Sequence, residues 1–281
     1  FAAAEKMKTV YCIAVVPIYL ASMIAIPGTL SSSIVPLVLA FIVAIWRGGI
    51  CMSVCLHRYA AHGAFKCGPG MRLILHVLGS AAHQGGPIWW SSQHRCHHKY
   101  CDVPRDPHSA IIDGVEMAFA FFSTGHEKVE EEFVPKWLDT TFLRLLDTFS
   151  FAVCSLEMYL AYYFFGREGL FISYTSQWLC QTSTLWFNIM NHPPGINPDK
   201  TCQATNGKGT LNSWYPGFVF LDTICPYFSV IVCEDAHDDH HVHFNLAKRE
   251  QYDCMYYSFV YPLEKLGLVW DVKTGNHSKC T

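Results

Sequence analysis

Between residues 9 and 46 the chain carries no charged side chain. A membrane crossing needs about 20 apolar residues, so this run is too long for one span and right for two. Pro27-Gly28-Thr29 and Ser31-Ser32-Ser33 break it. The pattern therefore predicts spans at about 9–26 and 33–54. Arg47 falls inside the second; of snorkelling and an early exit from the bilayer, the favoured reading is that the helix has already left lipid there. A third span is predicted at 148–166, despite Glu157, and a fourth at 169–191, charge-free but dotted with Ser, Thr and Gln and so expected inside a bundle. Shorter apolar runs at 71–78 and 115–122 cannot cross, and the second is expected on the surface. The stretch 211–233 is interrupted by Pro216, Asp222 and Pro226, which predicts a cap element. Residues 126–147 read as an exposed amphipathic helical region whose Glu127, Glu130, Glu131 and Glu132 face water.

The pattern predicts one all-α integral membrane domain over 1–281. Four transmembrane helices form two hairpins under a helical cap made of 55–147 and 192–281. Composition agrees: 51% of residues are apolar and only 15% charged, against about 25% charged in soluble domains. The net charge of −3 implies no polyanion-binding surface, so nucleic acid is not an expected partner. The chain starts at Phe1, which reads as a fragment or a processed form. Nine Lys/Arg fall in 55–147, one between the third and fourth spans, and none between the first two. By the positive-inside rule the cap is cytosolic. The thirteen cysteines form no CxxC pair. Several, including Cys12, Cys51, Cys55, Cys154 and Cys180, lie in apolar stretches and are read as reduced, buried thiols.

Candidate chemistry changes the picture most. His57-Arg58-Tyr59-Ala60-Ala61-His62, His94-Arg95-Cys96-His97-His98 and His237-Asp238-Asp239-His240-His241 hold eight of the fifteen histidines. No crossing separates the first two and two separate the last, so all three land on one side of the membrane. On a helix, positions i, i+3 and i+4 share a face. His94, His97 and His98 can therefore aim at one point, as can His237, His240 and His241. His57 and His62, about 140° apart on a helix, are expected to straddle a helix end. Eight imidazoles overshoot the three or four ligands of a zinc site. They point to two ions, and an all-nitrogen set suits iron that must meet O₂. Of the remaining histidines, His76 and His83 are expected to pack or hydrogen-bond before the second cluster. His126 and His277 are read as ordinary surface residues.

These words resemble the boxes of the membrane fatty acyl desaturases, most closely the delta-9 acyl-CoA type and its bacterial relatives. His57–His62 resembles the first box. Gln84-Gly85-Gly86-Pro87-Ile88-Trp89-Trp90-Ser91-Ser92-Gln93-His94 through Tyr100 resembles the second box and its lead, Asp106-Pro107-His108-Ser109 the segment after it, and Glu234 through His241 the third. Asn188-Ile189-Met190-Asn191-His192 resembles the family's NxxxH element. The resemblance covers about residues 10–270. The third box departs from the family with Asp238-Asp239 and Asp235, and Asn197 stands where Arg is common.

The resemblance implies a di-iron site held by His57, His62, His94, His97, His98, His192, His237, His240 and His241, with Asn188 on a metal-bound water. Where the third box departs from the family, Asp238 and Asp239 read equally as partners orienting the imidazoles or as solvated surface acids; His243 is a further candidate for orienting the ligands, and Gln84 and Trp90 for contacting substrate. The implied reaction is O₂-dependent formation of a cis double bond in a long-chain acyl substrate, most readily acyl-CoA. Electrons come from an external donor such as cytochrome b5 or ferredoxin with its reductase. The location is the endoplasmic reticulum in a eukaryote or the cytoplasmic membrane in a bacterium. Two rival readings are a lipid hydroxylase on the same scaffold and a non-catalytic membrane metal-binding or transport protein.

Overall fold

A computed structural model describes residues 34–114, 129–196, 198–206, 227 and 229–275. The predicted span at 9–26, the turn at 27–33, the stretch at 115–122, most of the element at 211–233, His126 and His277 lie outside the described residues. The fold is mostly helical. Helix α1 spans Val35–Ala61 and is the one helix among the described residues long and apolar enough on its own to cross a membrane. It starts close to the predicted residue 33 but runs past the predicted end at 54. From Arg47 to Ala61 it takes a wider winding, in which hydrogen bonds link residues five apart.

Helices α2 (Pro69–Ser80) and α3 (Pro87–Tyr100) each open on a proline, whose fixed φ and missing N–H suit a first turn. The two pack on α1. Asp147 closes the start of α3, its two carboxylate oxygens accepting from Ile88 N at 2.7 Å and Trp89 N at 3.1 Å. Gly86 is required there, because any Cβ would collide with that carboxyl group. Asp147 belongs to α5 (Thr141–Thr148), while α4 (Ala110–Asp113) is a single turn. Residues 129–140 hold only one helical turn, Glu131–Phe133, where a longer amphipathic helix was expected. Glu131 and Glu132 are exposed as predicted, paired with Arg144, Lys99 and Arg105.

Helix α6 is recorded over Ser150–Asn191 with a break at Gly166, whose φ of 62° is left-handed. The chain reverses there. Ser173 Oγ donates to Glu157 Oε1 at 2.9 Å, whereas sixteen residues of straight helix would separate them by about 24 Å. The two arms follow the stretches predicted at 148–166 and 169–191. By length and composition, Thr141–Thr148 and Ala152–Asn191 pass as a membrane segment only when taken together, with a 55° bend between them.

Arg47 does not snorkel. It is fully buried, donating to Ser176 Oγ at 3.0 Å, the Ala81 carbonyl at 2.5 Å and Glu157 Oε1 at 2.5 Å. His83 Nε2 lies 2.7 Å from the other Glu157 oxygen. The two charges embedded in the predicted spans therefore neutralise each other. After α6 come α7 (His237–Val242) and α8, formed by Tyr256–Val260 and Tyr261–Lys265. A two-residue pair, β1 (Lys66–Cys67) with antiparallel β2 (Val269–Trp270), ties the end of the chain to the loop after α1.

Candidate metal centre

Imidazole nitrogens from four parts of the chain converge. His57, His62, His94, His98 and His240 place ring nitrogens within 4.8 Å of one another. The Nε2 atoms of His57 and His240 are 2.8 Å apart, and the pairs His62–His94, His94–His98 and His98–His240 are each at 3.0 Å. With metal–imidazole bonds of about 2.1 Å, neighbouring ligands lie about 3.0 Å apart in an octahedron and about 3.4 Å apart in a tetrahedron. The observed edges are short enough for one ion to be shared by neighbouring rings. His62 caps α1, and its N–H reaches the His57 carbonyl. The wide winding thus stacks two residues that a regular helix would turn 140° apart.

A second group lies beside the first. His237 Nε2 is 2.8 Å from His192 Nε2 and 3.2 Å from His241 Nε2. The His97 ring lies 5.0 Å from that of His192 and 5.2 Å from that of His241. His97 Nε2 is buried with no hydrogen-bond partner, an orphaned lone pair that a metal ion would satisfy. Each HxxHH word is therefore split between two points rather than aimed at one. His94 and His98 serve the first group and His97 the second; His237 and His241 serve the second and His240 the first. The reason is angular: i and i+4 differ by about 40°, whereas i+3 and i+4 differ by about 100°.

The ring nitrogens facing outward meet carboxylates. Glu234 lies 3.1 Å from His57 Nδ1, Asp106 2.8 Å from His97 Nδ1 and Asp102 2.8 Å from His192 Nδ1. Such partners fix the tautomer and aim the other nitrogen inward. Asp102 is itself held by Ser109 Oγ and Gln203 N, both at 2.8 Å. Burial works against its charge, yet bonds from His192, Gln203 and Ser109 hold its carboxyl below the usual range. Burial likewise opposes ionisation of Asp106 and Glu234, and here the His97 and His57 rings bring the carboxyls down. Burial and mutual repulsion push the His62, His94, His98, His237, His240 and His241 rings well below their ordinary value. They are neutral near pH 7, the form that binds metal.

Asp238, Asp239 and His243 stand apart from these contacts. No hydrogen bond joins the Asp238 or Asp239 carboxylate to an imidazole among the described residues. Their backbone N–H groups donate to Asn206 Oδ1 at 2.8 and 3.2 Å, and His243 is exposed. Glu234, Asp102 and Asp106 stand in their place. Two of them lay in quoted motifs, but Glu234 meets His57 across 177 residues and Asp102 meets His192 across 90, so no local spacing marked their role. Buried His108 stacks on His97 with centroids 4.3 Å apart. The reduced-thiol expectation is corrected at one pair: Cys101 and Cys202 form a disulfide. Its sulfurs lie 3.8 Å from His192 Nδ1 and 3.7 Å from His241 Nδ1.

An apolar cavity abuts both groups, lined by Met52, Trp90, Phe187, Val232 and Asn188 along with His57, His94 and His237. Trp90 stacks on His94 at 4.8 Å, and its Nε1 donates to Gln84 Oε1 at 3.1 Å. Gln84 donates on to Thr184 Oγ1 at 2.9 Å.

No family model matches the chain. It is 31% identical over 249 residues to the hex-5-enoyl-[acyl-carrier protein] acetylenase of Moorena producens (strain JHB), covering 79% of this chain and 72% of that protein. The chain belongs to the fatty acid desaturase family. Delta-9 acyl-lipid desaturase 1 of Arabidopsis thaliana is 28% identical over 83% of this chain and 73% of its own length. The acyl-CoA C20 Delta5-desaturase of Anemone leveillei is 28% identical over 77% of this chain and 67% of its own. This desaturase-family chain is accordingly an oxidoreductase.

Proposed function

We propose that this chain is an O₂-dependent fatty acyl desaturase that introduces a cis double bond into a long-chain acyl group, delta-9-like, with acyl-CoA as the expected carrier. The observation that carries the reading is the contact between two adjacent imidazole groups and one apolar cavity. The nine histidines His57, His62, His94, His97, His98, His192, His237, His240 and His241 would hold two iron ions, with Asn188 at the cavity wall on a metal-bound water. When bound, the iron pair would activate O₂, the oxidant that with two external electrons and two protons takes up the two hydrogens lost from the acyl chain. The count of imidazoles favours iron over zinc.

The protein's own part is positioning. Glu234, Asp106 and Asp102 lock three rings. The Trp90–Gln84–Thr184 chain of bonds fixes the indole against His94, giving the acyl chain a rigid wall. Apolar lining excludes water from the reacting carbons. Electrons are assigned to an external donor, cytochrome b5 or ferredoxin with its reductase.

The single domain is read as multi-pass, with α1 and the two arms of α6 in the bilayer, a further span before α1, and the histidines on the cytosolic side. The membrane is the endoplasmic reticulum in a eukaryote or the cytoplasmic membrane in a bacterium. Exposed Tyr159, Tyr162, Tyr163, Phe164 and Phe165 beside the Gly166 reversal support this, since aromatic side chains favour a membrane interface. The test is expression in an unsaturated-fatty-acid auxotroph followed by mass spectrometry of its lipids. New cis double bonds support the reading, hydroxylated chains would replace it with the hydroxylase, and unchanged lipids would refute it.

A further inference from the structure

The Cys101–Cys202 disulfide takes no part in the proposed reaction, yet it lies against the metal centre. Cys101 caps the end of α3, and Cys202 begins a short strap at 202–206. The strap touches every element that carries the second imidazole group. Gln203 N donates to Asp102 Oδ2 at 2.8 Å, just past the end of α3. Thr205 N donates to the Asn191 carbonyl at 2.9 Å, at the end of α6. Asn206 Oδ1 accepts the Asp238 and Asp239 amides in the first turn of α7. Asp102 in turn holds His192 Nδ1 at 2.8 Å. It does so from a left-handed backbone, φ 58°, which a non-glycine residue keeps only where its surroundings fix it. The sulfurs face the same group, Cys101 Sγ 3.8 Å from His192 Nδ1 and Cys202 Sγ 3.7 Å from His241 Nδ1. The first group takes His57 and His62 from α1, which none of these bonds involves. On the topology proposed above, the disulfide faces the cytosol. There cysteines are kept reduced, and a disulfide that forms is usually transient, catalytic or redox-sensing. Its halves also differ in access: Cys101 is buried and Cys202 half-buried.

We propose that Cys101–Cys202 is a thiol–disulfide exchange site for a protein dithiol, and that its reduction releases the ion of the second imidazole group while the first group keeps its own. The proposal rests on reading the two imidazole groups as metal sites. One thiolate of the partner attacks the more accessible Cys202 Sγ. The Cys101–Cys202 bond breaks, and Cys101 leaves as a thiolate that takes up a proton. The partner's second thiolate then displaces Cys202 from the mixed disulfide, and Cys202 is protonated in turn. Two electrons have passed to the chain, which ends with two thiols, and the partner ends as a disulfide. Without the covalent tie, the Gln203–Asp102 bond becomes one that water can replace. Asp102 then holds the His192 ring less firmly, and loss of such a backing partner lowers metal affinity roughly 10–100-fold.

The experiment reads metal, thiols and backbone apart from turnover. The detergent-purified full chain is loaded anaerobically with Fe(II), then treated with a CxxC-type protein dithiol and its reductase. Iron is counted after passage over a chelator, cysteines by alkylation and mass spectrometry, and amide exchange is followed over 202–206. Cys101 and Cys202 should both become alkylatable, exchange at Gln203 and Thr205 should rise, and iron should fall from about two to about one per chain. Reoxidation followed by Fe(II) should restore the starting state. Cys101→Ser with Cys202→Ser should match the reduced chain with or without dithiol; if that variant does not fold, reduction of the wild type decides. Cysteines that stay bonded until the chain is denatured overturn the exchange site. Full iron after complete reduction, or loss of both ions together, overturns its control of the second group. An oxidised chain that holds no iron refutes the metal reading instead. Amide exchange then judges the strap: faster exchange at 202–206 on reduction supports the exchange site, and unchanged protection overturns it.

Discussion

At the residue scale, the metal centre depends on inner imidazoles and on the carboxylates behind them. Replacing His97 or His240 with Ala should abolish desaturation and lower iron from about two ions per chain, since each contributes to a different imidazole group; full activity or one zinc per chain would refute the assignment. Asp102→Asn, Asp106→Asn and Glu234→Gln should keep the fold but lower iron affinity roughly 10–100-fold, read by metal retention during chelator titration. His243→Ala should retain iron like wild type, because His243 is exposed at a cavity rim. The histidines were legible because their spacing is local. Their backing acids were not: Asp102 reaches His192 across ninety residues of sequence, and only folding brings them together.

At the element scale, α3 carries three of the histidines and is anchored by Asp147 and Gly86. Burial pushes the Asp147 carboxyl up to about 6, although the Ile88 and Trp89 amides pull it down. A carboxyl raised above its unfolded value binds more protons when folded. It therefore subtracts stability as pH rises from about 4 to about 6. Over that window Asp147→Asn should become more stable relative to wild type by on the order of 2–3 kcal/mol, measured by thermal unfolding of the detergent-solubilised protein. A pH-independent difference would refute the buried assignment. Gly86→Ala should loosen α3 and reduce bound iron. In the hairpin, Glu157→Gln should destabilise the protein, whereas Arg47→Met with Glu157→Leu should recover most of the loss; thermal melts of the three variants decide this. Apolar runs gave the helices, but not the continuation of α1 to Ala61 or its wide winding, which lies where α2 and α3 pack on it.

At the whole-molecule scale, ligands from α1, α3, the end of α6 and α7 must meet in one compartment. Probes at residues 66–70 and 200–205 should therefore label from the cytosol, and a probe at 31–33 from the opposite side, with membrane-impermeant reagents as the check. Cytosolic labelling at 31–33 would remove the first hairpin and with it the four-span reading. The sequence by itself determined the helical class and the family and singled out the eight clustered histidines, with His192 added by resemblance, because hydrophobic period and motif spacing act over a few residues. Tertiary structure alone decided which imidazole serves which group, which acids stand behind them, that Arg47 pairs with Glu157, and that Cys101 joins Cys202. Those depend on distances between segments far apart in the chain, which no local pattern encodes. They are set when burial forces every charge and lone pair to find a partner.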